Sequence, residues 1–472
     1  MTLKVQDKDN AALKYEKHSI LPRTLLGGTK AMREAREKFT PRERGEMSSS
    51  GLPGYDDRYE FRLKRCCFLA NFYAKTASFL AGQAFGKPIK ISDDMPEAIT
   101  ELLDDIDGKG NDINIFFSRV FFRGIAEGSR GVRVDSNVPQ ERNGSLSVEE
   151  ARRKGYRPVL IEIKGEDVLG VLGSGEPEQL RISGVETVRD GDYGAKDAPC
   201  VLVGTRESWQ KFVGSEDGGE YIPQDPYKHG ADLIPAAFFT PGENISWALG
   251  KPALEDLADL QHQHWLDAGD LKKIIHTAQR PILHLHNIDA DVVTAGADFA
   301  YTSNDLDNDY RTAPFINYSS VTGEGIEHGR KSLEDLEHKI GLWGLMQLLP
   351  QDVAATATEK NLTAGINSSS LAMWVIEFES MLQRVFEIVG QVLGVSVPEK
   401  CCELNREFLN VTMMPATDLI NAVDAGIIPK ELAFAEFKRR RGFVSIATWE
   451  DARAMMENER RQVGGTFGPG AI

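Results

Sequence analysis

Apolar positions along the chain follow two periods, and the change from one to the other divides it into regions. Between 57 and 85, Phe61, Phe68, Leu69, Phe72, Phe79 and Leu80 recur at helical spacing, with Thr76 the one polar break on that face. This predicts one helix over 57–85, after a polar segment 1–50 in which TKAMREAREKF (29–39) has helical character. PEAITELLDDI (96–106), with Pro near its first turn, and DINIFFSRVFFRGIAEG (112–128) predict two more helices. From 129 the period becomes two. SRGVRVDS (129–136), RPVLIEI (157–163), QLRISGVETV (179–188), APCVLVGTRE (198–207) and WQKFVG (209–214) read as strands, mainly antiparallel, with Gly and Asp turns; IPAAFF (234–239) closes the region.

The texture then changes again. KPALEDLADLQHQHWLDAGDLKKIIHTAQ (251–279) carries one stripe at 3–4 spacing: Leu254, Leu257, Trp265, Ala268, Leu271, Ile275 and Ala278. As a helix it would be about 43 Å long, stopped by Arg280-Pro281. A compact insert, 281–322, has strand-like PILHLHN (281–287) and APFINYSS (313–320) around the acidic SNDLDNDY. A second long helix is expected at 329–349, striped by Leu333, Leu336, Ile340 and Trp343, and a third at 371–393. Between them ATATEKNLTAGINSSS (355–370) is small and polar and predicts a soft loop, far longer than the roughly 2–8 residues that usually join packed helices. Beyond Gly394 lie a strand-like EFLNVTMM (407–414), helical TDLINAVDAG, PKELAFAEFKRR and TWEDARAMMENERRQ, and a tail, VGGTFGPGAI, expected to be disordered. The fold class is α+β.

Composition narrows the function. The 472 residues, 41% hydrophobic and 27% charged, suit a globular chain of about three regions. No run of ~18 apolar residues predicts a membrane span. The N-terminus lacks the apolar core of a secretory signal, which points to the cytosol. A net charge of −16 argues against gripping duplex DNA over a broad surface, yet suits a wall along which DNA slides. Cys66, Cys67, Cys200, Cys401 and Cys402 show no C-x-x-C spacing and read as reduced, mostly buried thiols.

Candidate chemistry is sparse. Seven of the nine histidines fall between His262 and His338. On a helix His262 and His264 point about 200° apart; His284 and His286 share a strand face, but no carboxylate or thiol completes a metal set. DDIDGKGNDINI, starting at Asp105 and Asp107, has Phe116 where a calcium loop needs Glu. DLDNDYRTAPFI, with Asp305, Asp307 and Asp309, has Tyr310 for the Gly and Ile316 for the Glu. GGTK (27–30) lacks the arch of a phosphate loop and reads as a helix start. KRRR (438–441) reads as a solvated helix end, with a DNA-reading helix as the sharper alternative. No nucleophile, metal or dinucleotide motif appears, so neither an enzyme nor a cofactor is expected.

Taken in order, LLGGTKAMREAREKFTPRE (25–43), RLKRCCFLANFYAKTASFLAGQAFGKP (62–88), FFRGIAEGSRGVRVD (121–135), RPVLIEIKGEDVLG (157–170), IPAAFF, KPALEDLADLQHQHW (251–265), ATATEKNLTAGINSSSLAMWVIEFESMLQRV (355–385) and DAGIIPKELAFAEFKRRRG (424–442) resemble the tailed-phage portal proteins. They are closest to a phage family long carried as uncharacterised and since recognised as portal-like. The resemblance implies a virion protein, assembled in the host cytoplasm into a homo-oligomeric ring, usually of twelve, at one capsid vertex. It implies a channel for double-stranded DNA in packaging and ejection, and docking of the terminase large subunit, the head–tail connector or adaptor, and the major capsid and scaffolding proteins. The portal fold implied has an N-terminal segment and mixed α/β wing (1–245), a two-helix stem (246–280 and 323–349) and a small α/β clip (281–322). A tunnel loop (350–370), a wing helix (371–394) and a wing end with a helical C-terminal crown and tail (395–472) complete it. Stem packing between subunits falls to Leu254, Leu257, Trp265, Leu271, Ile275, Leu333, Leu336, Ile340 and Trp343. The DNA-facing loop falls to Thr356, Thr358, Lys360, Asn361, Thr363, Asn367 and Ser368; on composition alone the same stretch is a plain linker. Another oligomeric structural or interaction protein of phage origin is the alternative, and after it a metal-dependent hydrolase using the histidines.

Overall fold

A computed structural model describes residues 3–43, 46, 55–136, 157–173, 175–190, 193–214, 220–279, 282–287, 300–303, 315–319, 323–343, 357–406, 420–421, 423–439, 448–450 and 452–455. The chain falls into two units, Met1–Leu409 and Asn410–Ile472. The first begins with a helix that the pattern does not announce, α1 (Asn10–Leu26), capped by Asp9, whose carboxylate accepts from Ala12 N at 2.8 Å. Its buried face is Ala12, Tyr15, Ser19, Pro22 and Leu25. Only the last is a large aliphatic residue, so no stripe shows in the sequence. After α2 (Gly28–Glu34) comes a 3-10 turn at Arg36–Lys38, in line with the helical character of 29–39.

The single helix expected at 57–85 is two. α3 (Tyr55–Phe61) passes into a π-helical turn, Arg62–Cys66, and α4 (Phe72–Ala84) restarts after a break. Distant partners satisfy the break. Asn71 Oδ1 accepts from Ala74 N while its Nδ2 donates to Leu25 O; Leu69 N donates to Thr29 Oγ1, and Phe72 N to Gln261 Oε1 at 2.9 Å. The restart also rotates the face. Phe68 is 69% exposed, and α4 buries Tyr73, Thr76, Ala77, Leu80, Ala81 and Ala84.

β1 (Lys90–Ile91) and the one-turn α5 (Glu97–Thr100) lead to α6 (Ile113–Glu127), capped by Asp112 and ended by Gly128 at φ 87°. A Cβ on Gly128 would stand 2.5 Å from the backbone of Gly250–Pro252, so that crossing admits glycine alone. Two antiparallel sheets follow. β2 (Arg130–Ser136) is the centre of a three-stranded sheet between β3 (Pro158–Lys164) and β10 (Ala236–Phe239). The second sheet runs in sequence order through β4 (Val168–Leu172), β5 (Gln179–Asp190), β6 (Gly194–Thr205), β7 (Ser208–Gly214) and β8 (Tyr221–Pro223), with β9 (Tyr227–Lys228) also on β7. The strands read from alternation stand where expected; β4, β8 and β9 add to them.

α7 (Glu255–Ala278) comes next. Three short strands follow: β11 (Ile282–His286), β12 (Ala300–Ser303) and β13 (Phe315–Ser319), ordered β12-β11-β13 with β11 and β12 parallel. α8 (Gly323–Trp343) and α9 (Ala357–Leu393) follow, and β14 (Cys402–Glu403) pairs with β1. The main core joins α4, α6, β2, β10 and α9. At its centre Phe378 meets Phe85, Phe117, Phe121 and Phe239 edge-to-face, with ring centroids 4.9–6.0 Å apart. A Cβ on Gly124 would stand 2.3 Å from the Phe239 ring, which stacks on Phe121. In the second unit α10 (Lys430–Arg439) sets Phe434 against Trp449 at 5.4 Å. EFLNVTMM and the C-terminal tail lie outside the described residues. The architecture is α+β, and no described helix is long and apolar enough to cross a membrane.

Candidate functional site

α7, the small sheet and α8 form a helical hairpin. His264 meets Glu337 and Leu271 meets Gly329, contacts that run in opposite chain directions, so the helices are antiparallel. α7 spans about 36 Å at 1.5 Å per residue. The second helix expected at 329–349 starts earlier, at Gly323, and residues 344–349 lie outside those described.

The chain's own N-terminal segment grips α7. His262 Nε2 donates to Phe39 O at 2.8 Å, Trp265 Nε1 to Thr40 Oγ1 at 2.9 Å, and Lys273 pairs with Glu43 at 2.6 Å. Tyr59 OH donates to Thr40 O, and Arg62 Nη2 to Pro41 O. Beneath the segment Arg62 and Glu46, each about 3% exposed in the side chain, form a bidentate pair at 2.9 Å. Burial would raise the Glu46 carboxyl, but Arg62, the Glu43 backbone N–H and Lys273 hold it below the usual carboxylate range. Burial, helped by Glu43, pushes Asp270 above it. Cys67 Sγ packs 3.0 Å from where a Gly269 Cβ would be, and burial lifts that thiol to about 11. All five cysteines are free thiols.

This corrects part of the expected packing between subunits. Leu257, Trp265, Leu336 and Ile340 are buried inside one chain, in a core shared with α1, α2, α3 and α4. The physical reason is the segment 39–46 together with the broken helix 55–84, which cover the face the stripe defines. Leu254, Leu271, Ile275 and Leu333 are half-buried, and Trp343 is 61% exposed. Among the described residues the exposed large apolar side chains of α7 and α8 are Ile274, Leu342 and Trp343.

The loop expected between α8 and the wing helix is corrected too. Residues 357–370 are helical, continuous with 371–393. The apolar half is anchored in the main core, so lengthening it needs no new nucleus. The stretch holds no proline and one glycine, Gly365, and its Ser, Thr and Asn each cost only about 0.5 kcal/mol in helix propensity. Thr358, Lys360, Asn361, Thr363, Asn367 and Ser368 thus stand on α9; their side chains, and Thr356 altogether, lie outside what is described.

The histidines disperse. His262 caps Phe39 O, and His264, 3% exposed, reaches Glu337 Oε1 at 3.0 Å. His276 meets the Phe61 ring, His286 stacks on Phe315 at 4.9 Å, and His328 and His338 are exposed. Among the described residues no group of three His, Cys, Asp or Glu is placed to hold a metal ion. Asp105 and Asp107 serve as a turn: Asp105 accepts from Gly110 N and pairs with Arg157, and Asp107 accepts from Lys109 N. The acidic run 304–310 lies outside the described residues.

The sequence reading missed the clamp of Thr40, Glu43, Glu46 and Arg62, whose α7 partners lie more than 200 residues away. It also missed a recess at the start of α7. Pro241, Gly242, Glu243, Lys251, Pro252, Ala253, Glu255, Asp256 and Trp374 line about 240 Å³. Two carboxylates there are engaged, Glu243 with Lys251 and Glu255 with His18, both at 2.5 Å.

Residues 253–391, from α7 through nearly all of α9, match a family described as a domain of unknown function, DUF4055. No curated protein matches the chain. Solved structures similar to it include a chain from the neck of an empty gene transfer agent (GTA) particle, at 10% identity and TM-score 0.40, covering 81% of this chain and 89% of that one. A chain from the virion of the native GTA particle is similar at 11% identity and TM-score 0.37, covering 87% and 96%. One from the neck of the native particle is similar at 10% identity and TM-score 0.38, covering 75% and 85%.

Proposed function

We propose that the chain is a portal-type subunit of a tailed-phage particle: a non-enzymatic structural protein that forms a ring, twelve-fold by the resemblance, around a channel for double-stranded DNA. The observation that carries this reading is the antiparallel pair α7 and α8 with a small sheet of its own between them, attached to an α+β body into which α9 returns. In a portal these are stem, clip, wing and wing helix. The clip is then the part that meets terminase and, later, the head–tail connector. The helical stretch 357–370 takes the place of a channel loop, and a net charge of −16 per chain favours passage of DNA over its retention.

Negative-stain electron microscopy of the purified full chain tests it. Rings with a central hole are expected; a monodisperse monomer at every concentration contradicts the reading. In rings, deleting 357–366 is expected to leave assembly intact and to impair DNA packaging or retention. Loss of the rings would make that stretch a structural joint instead.

A further inference from the structure

Trp343 ends α8 with 61% of its surface exposed, beside Leu342 at 40%. A tryptophan so placed gives up a large apolar area to water, and such side chains are the usual anchors of protein–protein contacts. The recess at the start of α7 is of the size for one: about 240 Å³ is below the roughly 300–1,000 Å³ of clefts that enclose organic ligands. The apolar part of its lining is Pro241, Pro252, Ala253 and Trp374, beside the charged Glu243, Lys251, Glu255 and Asp256, and Met373, 70% exposed, precedes Trp374 on the same helix.

Charge matches as well. Asp256 lines the recess, is exposed and has no ion pair among the described residues, whereas Glu243 and Glu255 are already engaged. Lys339 stands one turn before Trp343 on the same face of α8 and is exposed. Knob and recess also share a height. Counted from the His264–Glu337 contact, Trp343 lies about 9 Å, and Glu255 about 13 Å, towards the same end of the helix pair. Rotation about an axis parallel to the pair preserves height, so two features at one level can meet between neighbouring copies in a ring.

We infer that Trp343 of one copy seats in the Pro241–Pro252–Trp374 recess of the next, with Lys339 against Asp256. The contact is heterologous, knob to recess rather than like to like, and it repeats until the ring closes. The inference rests on the ring reading and names the residues that join its subunits.

The test uses the full chain. Trp343→Ala is expected to raise the concentration needed for ring assembly by roughly tenfold or more, with an unchanged circular dichroism spectrum and, below the assembly concentration, an unchanged melting temperature. Asp256→Lys should weaken assembly, and adding Lys339→Asp should restore it. Trp343→Cys with Ala253→Cys, oxidised in the ring, should give a ladder of covalent multimers absent from either single variant. Native rings that tolerate Trp343→Ala and give no ladder overturn the seat and leave the ring standing. A cross-link confined to the monomer band also overturns it, since the side chain then reaches its own recess. A native chain that never forms rings overturns both readings.

Discussion

The core around Phe378 and the clamp around Arg62 both hold a long helix in place, by different means. In the first, α9 is fixed by four aromatic rings and a lining of aliphatic residues. In the second, α7 packs its apolar stripe against Phe39 and its neighbours, and a polar segment adds hydrogen bonds and ion pairs, with a nearly inaccessible Arg62–Glu46 pair beneath it. A dry core tolerates loss of atoms poorly and is indifferent to pH. A buried ion pair is sensitive to both partner and proton, because the charge left behind has nowhere to be solvated.

The largest expected effect is on the dry side. Phe378→Ala removes the ring at the centre of the cluster and should destabilise the chain by about 3–5 kcal/mol, measured by chemical denaturation. Glu46→Gln keeps shape and removes charge; its cost should be about 2 kcal/mol, with proteolytic nicking near 39–46 faster than in the native chain. Equal costs for the two would erase the contrast.

The pH dependence separates them further. Glu46 is held below the usual carboxylate range in the folded chain. Its contribution is therefore fully present above the unfolded value of about 4.3 and is lost as pH falls through the lower folded value. The stability gap between the native chain and Glu46→Gln should be constant from pH 7 to 5 and close below about 4. The gap for Phe378→Ala should not move, because that cluster holds no charged group. The smallest effect is at Trp343: within one chain Trp343→Ala should change stability by no more than about 0.5 kcal/mol, so that any larger loss in assembly is a loss of contact between copies.

Much of the first region was legible. The alternation from 129 to 239 placed the principal strands, and the 3–4 spacing placed α6, α7, α8 and the apolar half of α9. Elements without a period were hidden. α1 buries small and polar residues, so it carries no stripe. The break at Cys67–Asn71 depends on acceptors at Leu25 and Gln261, which no local pattern encodes. The stripe on α7 was read correctly as a burying face, but Leu257 and Trp265 bury it within the chain, against a segment about 220 residues earlier.

ATATEKNLTAGINSSS shows the division most sharply. Its composition fixed what it lacks: aromatic side chains, proline and net charge. It did not fix the conformation, because weak propensities are settled by what adjoins them, and here an anchored helix continues into residues 357–370. The sequence by itself determined the period of each element and so which face could be buried. Only the tertiary structure decided what buries it, since partners distant in the chain are chosen by packing and hydrogen-bond satisfaction, which have no local period. That choice leaves Trp343 uncovered.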